Sequence, residues 1–264
     1  MPGFISRQEQ FDVVGSTNDV VRGWLGEGTP EVCIAVAAEQ TAGRGREGRT
    51  WTAPYGHALL ASLGFRPTWL PPDRVWRLAA IVSLAMAEAG DFLAGLAPGS
   101  IRLKWPNDLV VEAADGSVRK LAGVLGETDG LGTNDPRAVV GIGINADWPA
   151  DEFPADLVGT MTSLAAEGGR HIDEHELLEA FLVSLEPRLA ALRSGRFDAD
   201  EWSSRQVTND RDVDLIAPDG ASTMVRAHGV DTDSGALLVD GRRVLVGEIA
   251  HVRFAEPARA RSAV

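Results

Sequence analysis

The residues of this chain best suited to chemistry form a short segment, from Gly43 to Arg49, with three glycines and three arginines in seven positions. Glycines let backbone amides close around a ligand, and the guanidinium group of arginine matches the oxygen geometry of phosphate and carboxylate groups. The segment therefore favours anion binding. Taken alone, a solvated surface loop explains the same residues equally well.

Residues 43–48 also match the G-x-G-x-x-G pattern of dinucleotide-binding proteins. That pattern opens a helix, whereas Pro54 and Gly56 stand where such a helix would run. A kinase glycine loop or a Walker A loop is excluded as well, because the chain contains neither Asp-Phe-Gly nor Gly-Lys-Ser/Thr. The segment is thus no ordinary nucleotide fingerprint.

A second group of residues contains the chain's two lysines, Lys104 and Lys120. Lys104 begins the segment Lys-Trp-Pro-Asn-Asp, and a turn at Asp115-Gly116 predicts a hairpin that brings Asn107 and Asp108 near Lys120. An ammonium group beside an Asn-Asp pair can stabilise charge on a transferring phosphorus, and a carboxylate can help to hold Mg²⁺. Solvated surface charge on a bare hairpin is the alternative.

The third candidate is a predicted strand that ends in Gly141-Ile142-Gly143-Ile144-Asn145. Glycine weakens a strand unless another group must approach the backbone closely. A ligand or a closely packed strand would explain the glycines equally well. Asn145 lies at the strand end, where binding sites often occur.

Hydrophobic patterning places these segments on an α+β framework. Ser16-Thr17-Asn18 offers side-chain oxygens that can start a helix ending near Leu25, and Asp173 can cap another. After about residue 206, some five short strands with hairpin turns predict a small β-barrel. We expect a catalytic domain over residues 1–205, the barrel over 206–256 and a disordered tail over 257–264. Strands are predicted at 11–14, 32–38, 58–65, 101–105, 109–112, 118–126 and 137–144, and long helices at 74–96 and 174–192.

Composition limits the classes of function. The formal net charge of −13 argues against a surface that binds nucleic acid throughout. The single cysteine, Cys33, lies in an apolar run, which predicts a buried, unreactive thiol. The longest apolar run, residues 78–87, is too short to cross a bilayer. We expect a cytoplasmic protein that binds neither nucleic acid nor a membrane.

Five of these segments together resemble the biotin protein ligase family. One such segment is weak evidence, whereas five in the family's order are highly specific. The resemblance implies a mixed sheet flanked by helices, as in class II aminoacyl-tRNA synthetases, followed by a small C-terminal SH3-like β-barrel. The matching segments are Ser16-Thr17-Asn18, Gly43 to Arg49, Lys104-Trp105-Pro106-Asn107-Asp108, Lys120-Leu121-Ala122-Gly123 and Gly141 to Asn145.

The resemblance also implies an activity, the ATP-dependent biotinylation of a specific lysine on a biotin carboxyl carrier domain. In such ligases the carboxylate of biotin attacks the α-phosphate of Mg²⁺-bound ATP and gives biotinyl-5′-AMP. The carrier lysine then attacks the acyl carbon. Mg²⁺ is the implied cofactor, biotin and ATP are the substrates, and the carrier domain of a biotin-dependent carboxylase is the protein partner. Whether the chain forms a homodimer stays open.

Residue roles follow from the resemblance position by position. Lys120 and Arg46 are the expected catalytic residues, and Asp108 is the candidate Mg²⁺ ligand. The expected biotin site consists of Ser16, Thr17, Asn18, Gln40, Gly43, Arg44 and Gly123. The expected nucleotide site consists of Arg46, Arg49, Trp51, Asn107, Lys120, Gly143 and Asn145.

Two alternatives share part of this pattern. A lipoate or octanoate ligase has the same architecture and acyl-adenylate chemistry, but its members lack this arginine loop. Some biotin ligases are also repressors with an N-terminal helix-turn-helix. Because only about ten residues precede the first predicted strand, we expect no such DNA-binding module here.

Overall fold

The computed structural model describes residues 2–113, 116–245 and 247–253. Within them the chain forms five α-helices and twelve strands. Asp115 of the predicted turn and the predicted tail, residues 257–264, lie outside the described residues. The bounds are β1 Arg7–Val14, α1 Thr17–Gly26, β2 Cys33–Gln40, β3 Ala58–Phe65, α2 Trp76–Ala94, β4 Ile101–Lys104, β5 Asp108–Glu112, β6 Val118–Asp129, β7 Arg137–Asn145, α3 Leu164–Gly168, α4 Glu174–Arg193, α5 Ala199–Ser204, β8 Arg211–Ile216, β9 Ser222–Val230, β10 Leu237–Val239, β11 Arg242–Val244 and β12 Glu248–Arg253.

The first seven strands form one mixed sheet in the order β1-β2-β3-β7-β6-β5-β4. Strands β1 and β2 are parallel, and every other neighbouring pair in this sheet is antiparallel. The predicted α+β class with a mixed sheet flanked by helices is confirmed. The register of the β5–β6 pair, with Asp108 opposite Gly123, also confirms the predicted hairpin.

Strand β2 shows how the sheet separates two apolar layers. Cys33 and Ala35 pack with α1, whereas Ile34 and Val36, which point to the opposite face, pack in the larger core with α2 and α4. The expected burial of Cys33 is confirmed, and this burial raises the pKa of its thiol to about 11. Helices therefore cover both faces of the sheet.

Helix α4 begins as the sequence predicts. The carboxylate of Asp173 accepts hydrogen bonds from the backbone N–H groups of His175 and Glu176 at 2.8 and 2.9 Å. The expected cap of α1 is wrong in its detail, because Ser16 occupies the N-cap position but its hydroxyl makes no capping hydrogen bond. No helix in the described part of the chain is long and apolar enough to cross a membrane.

Strands β8 to β12 form a second, antiparallel sheet in the order β11-β10-β9-β8-β12. The chain reaches it by passing along the edge strand β4, where the N–H of Val207 donates to the carbonyl of Leu103 at 2.7 Å. The indole of Trp105 donates to the carbonyl of Gly235 at 3.1 Å. The second sheet is therefore packed beside the segment that follows β4.

Candidate functional site

A cavity of about 120 Å³ lies between the face of the seven-stranded sheet and the segment that follows β2. We call residues 43–49 the arginine loop. Thirteen of the fifteen residues expected at the site line this cavity: Ser16, Thr17, Asn18, Gln40, Arg44, Arg46, Arg49, Trp51, Asn107, Asp108, Lys120, Gly123 and Gly143.

The two other expected residues, Gly43 and Asn145, do not line the cavity. The carbonyl of Gly43 accepts from the N–H of Trp51 at 3.0 Å, which closes the base of the arginine loop. The buried side-chain amide of Asn145 donates to the carbonyl of Thr162 at 2.8 Å. Both residues thus shape the walls, and ligand contacts for them stay predictions.

Both lysines lie at the cavity and share one carboxylate. Lys120 Nζ is 2.7 Å from Asp108 Oδ1, and Lys104 Nζ is 3.8 Å from Asp108 Oδ2. The side chains of Lys104 and Asp108 are 16% and 15% exposed, whereas that of Lys120 is 41% exposed. Burial lowers the pKa of Lys104, and Asp108 opposes this shift. Lys120 is therefore the lysine whose charge faces a ligand in the cavity.

Asn107 stabilises the base of this charged group. Its side-chain amide donates to the carbonyl of Val124 at 2.8 Å, and the N–H of Val124 donates back to the carbonyl of Asn107 at 2.9 Å. This pair of bonds locks the start of β5 onto β6. Its geometry explains why Asp108 and Lys120 meet across the hairpin.

The glycines of β6 and β7 give room to side chains from elsewhere in the chain. A Cβ at Gly141 would lie 2.2 Å from Asn18 Oδ1, and one at Gly143 would lie 2.6 Å from the indole of Trp51. The same indole would be 3.2 Å from a Cβ at Gly123. The sequence left open whether a ligand or a closely packed strand explains these glycines, and within the residues it describes the structure shows no strand packed against them. Side chains of α1 and of the segment after the arginine loop approach the glycine backbone.

Trp51 covers this glycine surface. Its ring lies 5.5 Å from Lys120 Nζ, which is within range of a cation–π interaction. The indole N–H is buried and makes no hydrogen bond within the described part of the chain. A buried donor without an acceptor costs roughly 1–3 kcal/mol, so the indole N–H is available to donate to a ligand in the cavity.

Three side chains that line the cavity form a polar cluster with a fourth, fully buried one: Thr17, Asn18 and Gln40, with Ser62. The backbone N–H and the hydroxyl of Thr17 both donate to Gln40 Oε1, at 2.7 and 3.0 Å. The Ser62 hydroxyl lies 2.7 Å from Thr17 Oγ1 and 2.6 Å from Asn18 Oδ1. Such a fixed set of donors and acceptors suits a small polar ring on an otherwise apolar ligand.

Two residues that contact Asn18, Ser62 and Glu127, were not predicted from the sequence. Ser62 is fully buried and is the one hydroxyl in the apolar strand β3, a signal that could have identified it. Glu127 accepts from the side-chain amide of Asn18 at 2.6 Å. It is 109 residues from Asn18 in sequence, and nothing local distinguishes it from other surface acids.

The arginine loop is folded back on itself and is held through Arg44 and Arg46. Arg44 donates to both carboxylate oxygens of Asp19 at 2.7 Å, a contact that lowers the pKa of Asp19. The loop continues into a short 3₁₀ turn over Arg46–Gly48, with Glu47 at a φ of 56°. Arg46 donates to the carbonyl of Gly247 at 3.2 Å, which links the loop to the second sheet. The loop therefore forms a cover over the cavity.

Comparison with known proteins agrees with this geometry. The model of the biotin/lipoate A/B protein ligase family matches residues 10–145, which is more than half of the chain. The chain is 31% identical over 253 residues to the biotin--[acetyl-CoA-carboxylase] ligase of Mycobacterium tuberculosis, covering 92% of this chain and 90% of that protein. The chain belongs to the biotin/lipoate A/B protein ligase family.

Two further similarities place it within that family. It is 30% identical to the bifunctional ligase/repressor BirA of Bacillus spizizenii over 67% of this chain but only 52% of that protein, so it spans about half of that relative. Among solved structures, the biotin protein ligase from Aquifex aeolicus in complex with biotin and ATP has a TM-score of 0.73 at 24% identity, covering 96% of this chain and 100% of that chain. At this identity the likeness to the solved structure shows a shared fold. The family match and the Mycobacterium tuberculosis relative confirm the resemblance to biotin protein ligases.

Proposed function

We propose that this chain catalyses the ATP-dependent biotinylation of a specific lysine on a biotin carboxyl carrier domain, through biotinyl-5′-AMP. The observation that carries the proposal is the position of Lys120. Its ammonium group is held by Asp108 at 2.7 Å in a cavity that has the polar cluster at one end and the arginine loop as its cover. The Lys120 ammonium group thus lies between the polar cluster, which can bind a polar ring, and the arginine loop, which can bind phosphates.

In the first step, a carboxylate oxygen of biotin attacks the α-phosphorus of ATP, the bond to the β-phosphate breaks, and pyrophosphate leaves. Lys120 neutralises charge on the carboxylate and phosphate oxygens as they approach each other. The fixed ion pair with Asp108 means that this charge needs no reorientation during the step. Arg46 and Arg49 bind the phosphates, and the polar cluster binds the ureido ring of biotin.

In the second step, the carrier lysine attacks the acyl carbon, the bond to the phosphate breaks, and AMP leaves with release of a proton. The mixed anhydride must be kept from water until the carrier arrives. The arginine loop and Trp51 cover the cavity and exclude water from the anhydride. The name of the Mycobacterium tuberculosis relative supports the carrier domain of an acetyl-CoA carboxylase as the first acceptor to test.

Mg²⁺ enters this scheme bound to ATP. Within the described part of the chain, no group of three or more His, Cys, Asp or Glu side chains could hold a metal ion. Asp108 Oδ1 lies 2.7 Å from Lys120 Nζ and Oδ2 lies 3.8 Å from Lys104 Nζ, so Oδ2 is the more loosely paired oxygen and the one that would contact a cation. A single carboxylate oxygen fits an ion that takes most of its ligands from phosphates and water. We also propose that the second sheet closes into the SH3-like barrel of the family.

A thermal shift screen with biotin, lipoate and octanoate, each with and without Mg²⁺-ATP, tests the proposal. Ligand binding to the native state raises the midpoint by mass action. We expect biotin alone to raise it, and biotin with Mg²⁺-ATP to raise it further as the adenylate accumulates. A shift with lipoate or octanoate and none with biotin would instead establish the alternative ligase activity. Light scattering on the same samples measures whether a homodimer forms.

A further inference from the structure

We propose that Glu127 is a positioning residue that fixes Asn18 for ligand recognition and connects it to the arginine loop. The inference rests on the proposed function and deepens it, because it assigns a specificity role within the same site. Glu127 lies on β6, beyond the residues that line the cavity, and acts through its neighbours.

Three groups converge on the Glu127 carboxylate. Oε2 accepts from the side-chain amide of Asn18 at 2.6 Å and lies 3.5 Å from a guanidinium nitrogen of Arg44. Oε1 lies 2.8 Å from a guanidinium nitrogen of Arg22. The Glu127 side chain is 27% exposed, so these contacts are partly shielded from water. A single carboxylate thus pairs with two arginines and fixes one amide.

The contacts of Asn18 determine which way its amide points. Its Nδ2 donates to Glu127, while its Oδ1 lies 2.6 Å from the Ser62 hydroxyl and against the backbone of Gly141. Turning the amide over would place an NH₂ group against the cramped Gly141 backbone and an oxygen against the carboxylate. Glu127 therefore holds the amide in the orientation that a ligand in the cavity meets.

Glu127 also shares two partners with Asp19. Both acids contact Arg44 of the arginine loop and Arg22 of α1. Of these two acids, Glu127 is the one that accepts a hydrogen bond from the side-chain amide of Asn18. Asp19 is therefore the natural comparison, because its removal weakens the hold on the arginine loop and leaves the Asn18 amide fixed.

The test compares Glu127→Ala, Glu127→Gln and Asp19→Asn in biotin-dependent ATP–pyrophosphate exchange. A hydrogen bond to a charged group is worth enough to change binding by roughly tenfold or more. We expect Glu127→Ala to raise KM for biotin about tenfold and to leave kcat within about threefold of wild type. Glu127→Gln should recover part of the KM, since its amide oxygen can accept from Asn18. Asp19→Asn should change KM for biotin by less than about threefold.

Glu201→Gln is the matched control. Glu201 is also 27% exposed and also pairs with two arginines, Arg188 and Arg205, but it lies on α5, away from the cavity. The Glu201→Gln variant should have the wild-type KM for biotin and the wild-type kcat. Thermal midpoints of all variants show whether a loss of folding contributes.

Two results would overturn the inference. An equal rise of KM in Asp19→Asn and Glu127→Ala would assign the effect to Arg44 rather than to Asn18. A wild-type KM in Glu127→Ala would show that the amide needs no support. These outcomes differ from a failure of the proposed function, in which wild-type protein itself would show no exchange with biotin; the positioning role would then fall with it.

Discussion

Gly143→Ala perturbs the cavity at its most crowded point. An added Cβ would lie 2.6 Å from two atoms of the Trp51 indole, so the ring must move by about 1 Å to regain an ordinary contact. Gly143 is paired on both sides, with Leu60 of β3 and Gly123 of β6, so the strand cannot give way. The displacement therefore falls on Trp51 and on the arginine loop beside it.

The size of the effect follows from the cost of overpacking, about 1–3 kcal/mol. This cost destabilises the position in which Trp51 and the arginine loop cover the cavity. The release rate of biotinyl-5′-AMP should therefore rise by roughly 5- to 150-fold. The global unfolding midpoint should change little. The measurement is the release rate of preformed adenylate from purified enzyme, by rapid filtration.

Gly126→Ala is the control for this prediction. Gly126 lies on β6, next to β7 in the same sheet, but an added Cβ there would have nothing within 4 Å. It should release the adenylate at the wild-type rate. A wild-type release rate in Gly143→Ala would refute the idea that Trp51 and the arginine loop cover the intermediate.

Three further changes test separate parts of the site. Arg46→Gly removes a guanidinium group and its bond to the carbonyl of Gly247, so we expect faster adenylate release; an unchanged rate would contradict the role of the cover. Asp108→Asn leaves the buried ammonium of Lys104 without its carboxylate, and we expect urea denaturation to show a loss of about 3 kcal/mol; a loss below about 1 kcal/mol would show that the ion pair is not stabilising. Burial, followed by the charge of Asp173, raises the pKa of Glu174 to about 7. Since the folded protein then holds this proton more tightly than the unfolded chain, the contribution of Glu174 to stability should be greatest below pH about 4.5 and should be lost as pH rises to about 7. The difference in thermal midpoint between Glu174→Gln and wild type should therefore change over this pH range; a constant difference would contradict the assignment.

The parts of the site that local sequence predicts are those built by neighbouring segments. The Asp108–Lys120 pair follows from a hairpin, and a hairpin is encoded by a turn between two short apolar runs. The arginine loop follows from composition. In both cases, the interacting residues are close in sequence or unusual in type.

The parts that escaped prediction depend on the order of the strands. Glu127 meets Asn18 because β7 inserts between β3 and β6 and α1 packs across this surface, an arrangement that hydrophobic periodicity does not encode. The counter-charge of Arg44 was equally hidden, because Asp19 lies 25 residues away on α1. Long-range pairing, rather than local propensity, completes the site.

The central claim is that Lys120 supplies the charge that drives adenylate formation. Its most direct test is biotin-dependent exchange of radiolabelled pyrophosphate into ATP by Lys120→Ala, with the thermal midpoint as a check of folding. We expect exchange to fall by roughly 10²- to 10³-fold while the midpoint stays close to that of wild type. Ordinary exchange by a folded Lys120→Ala protein would contradict the assignment.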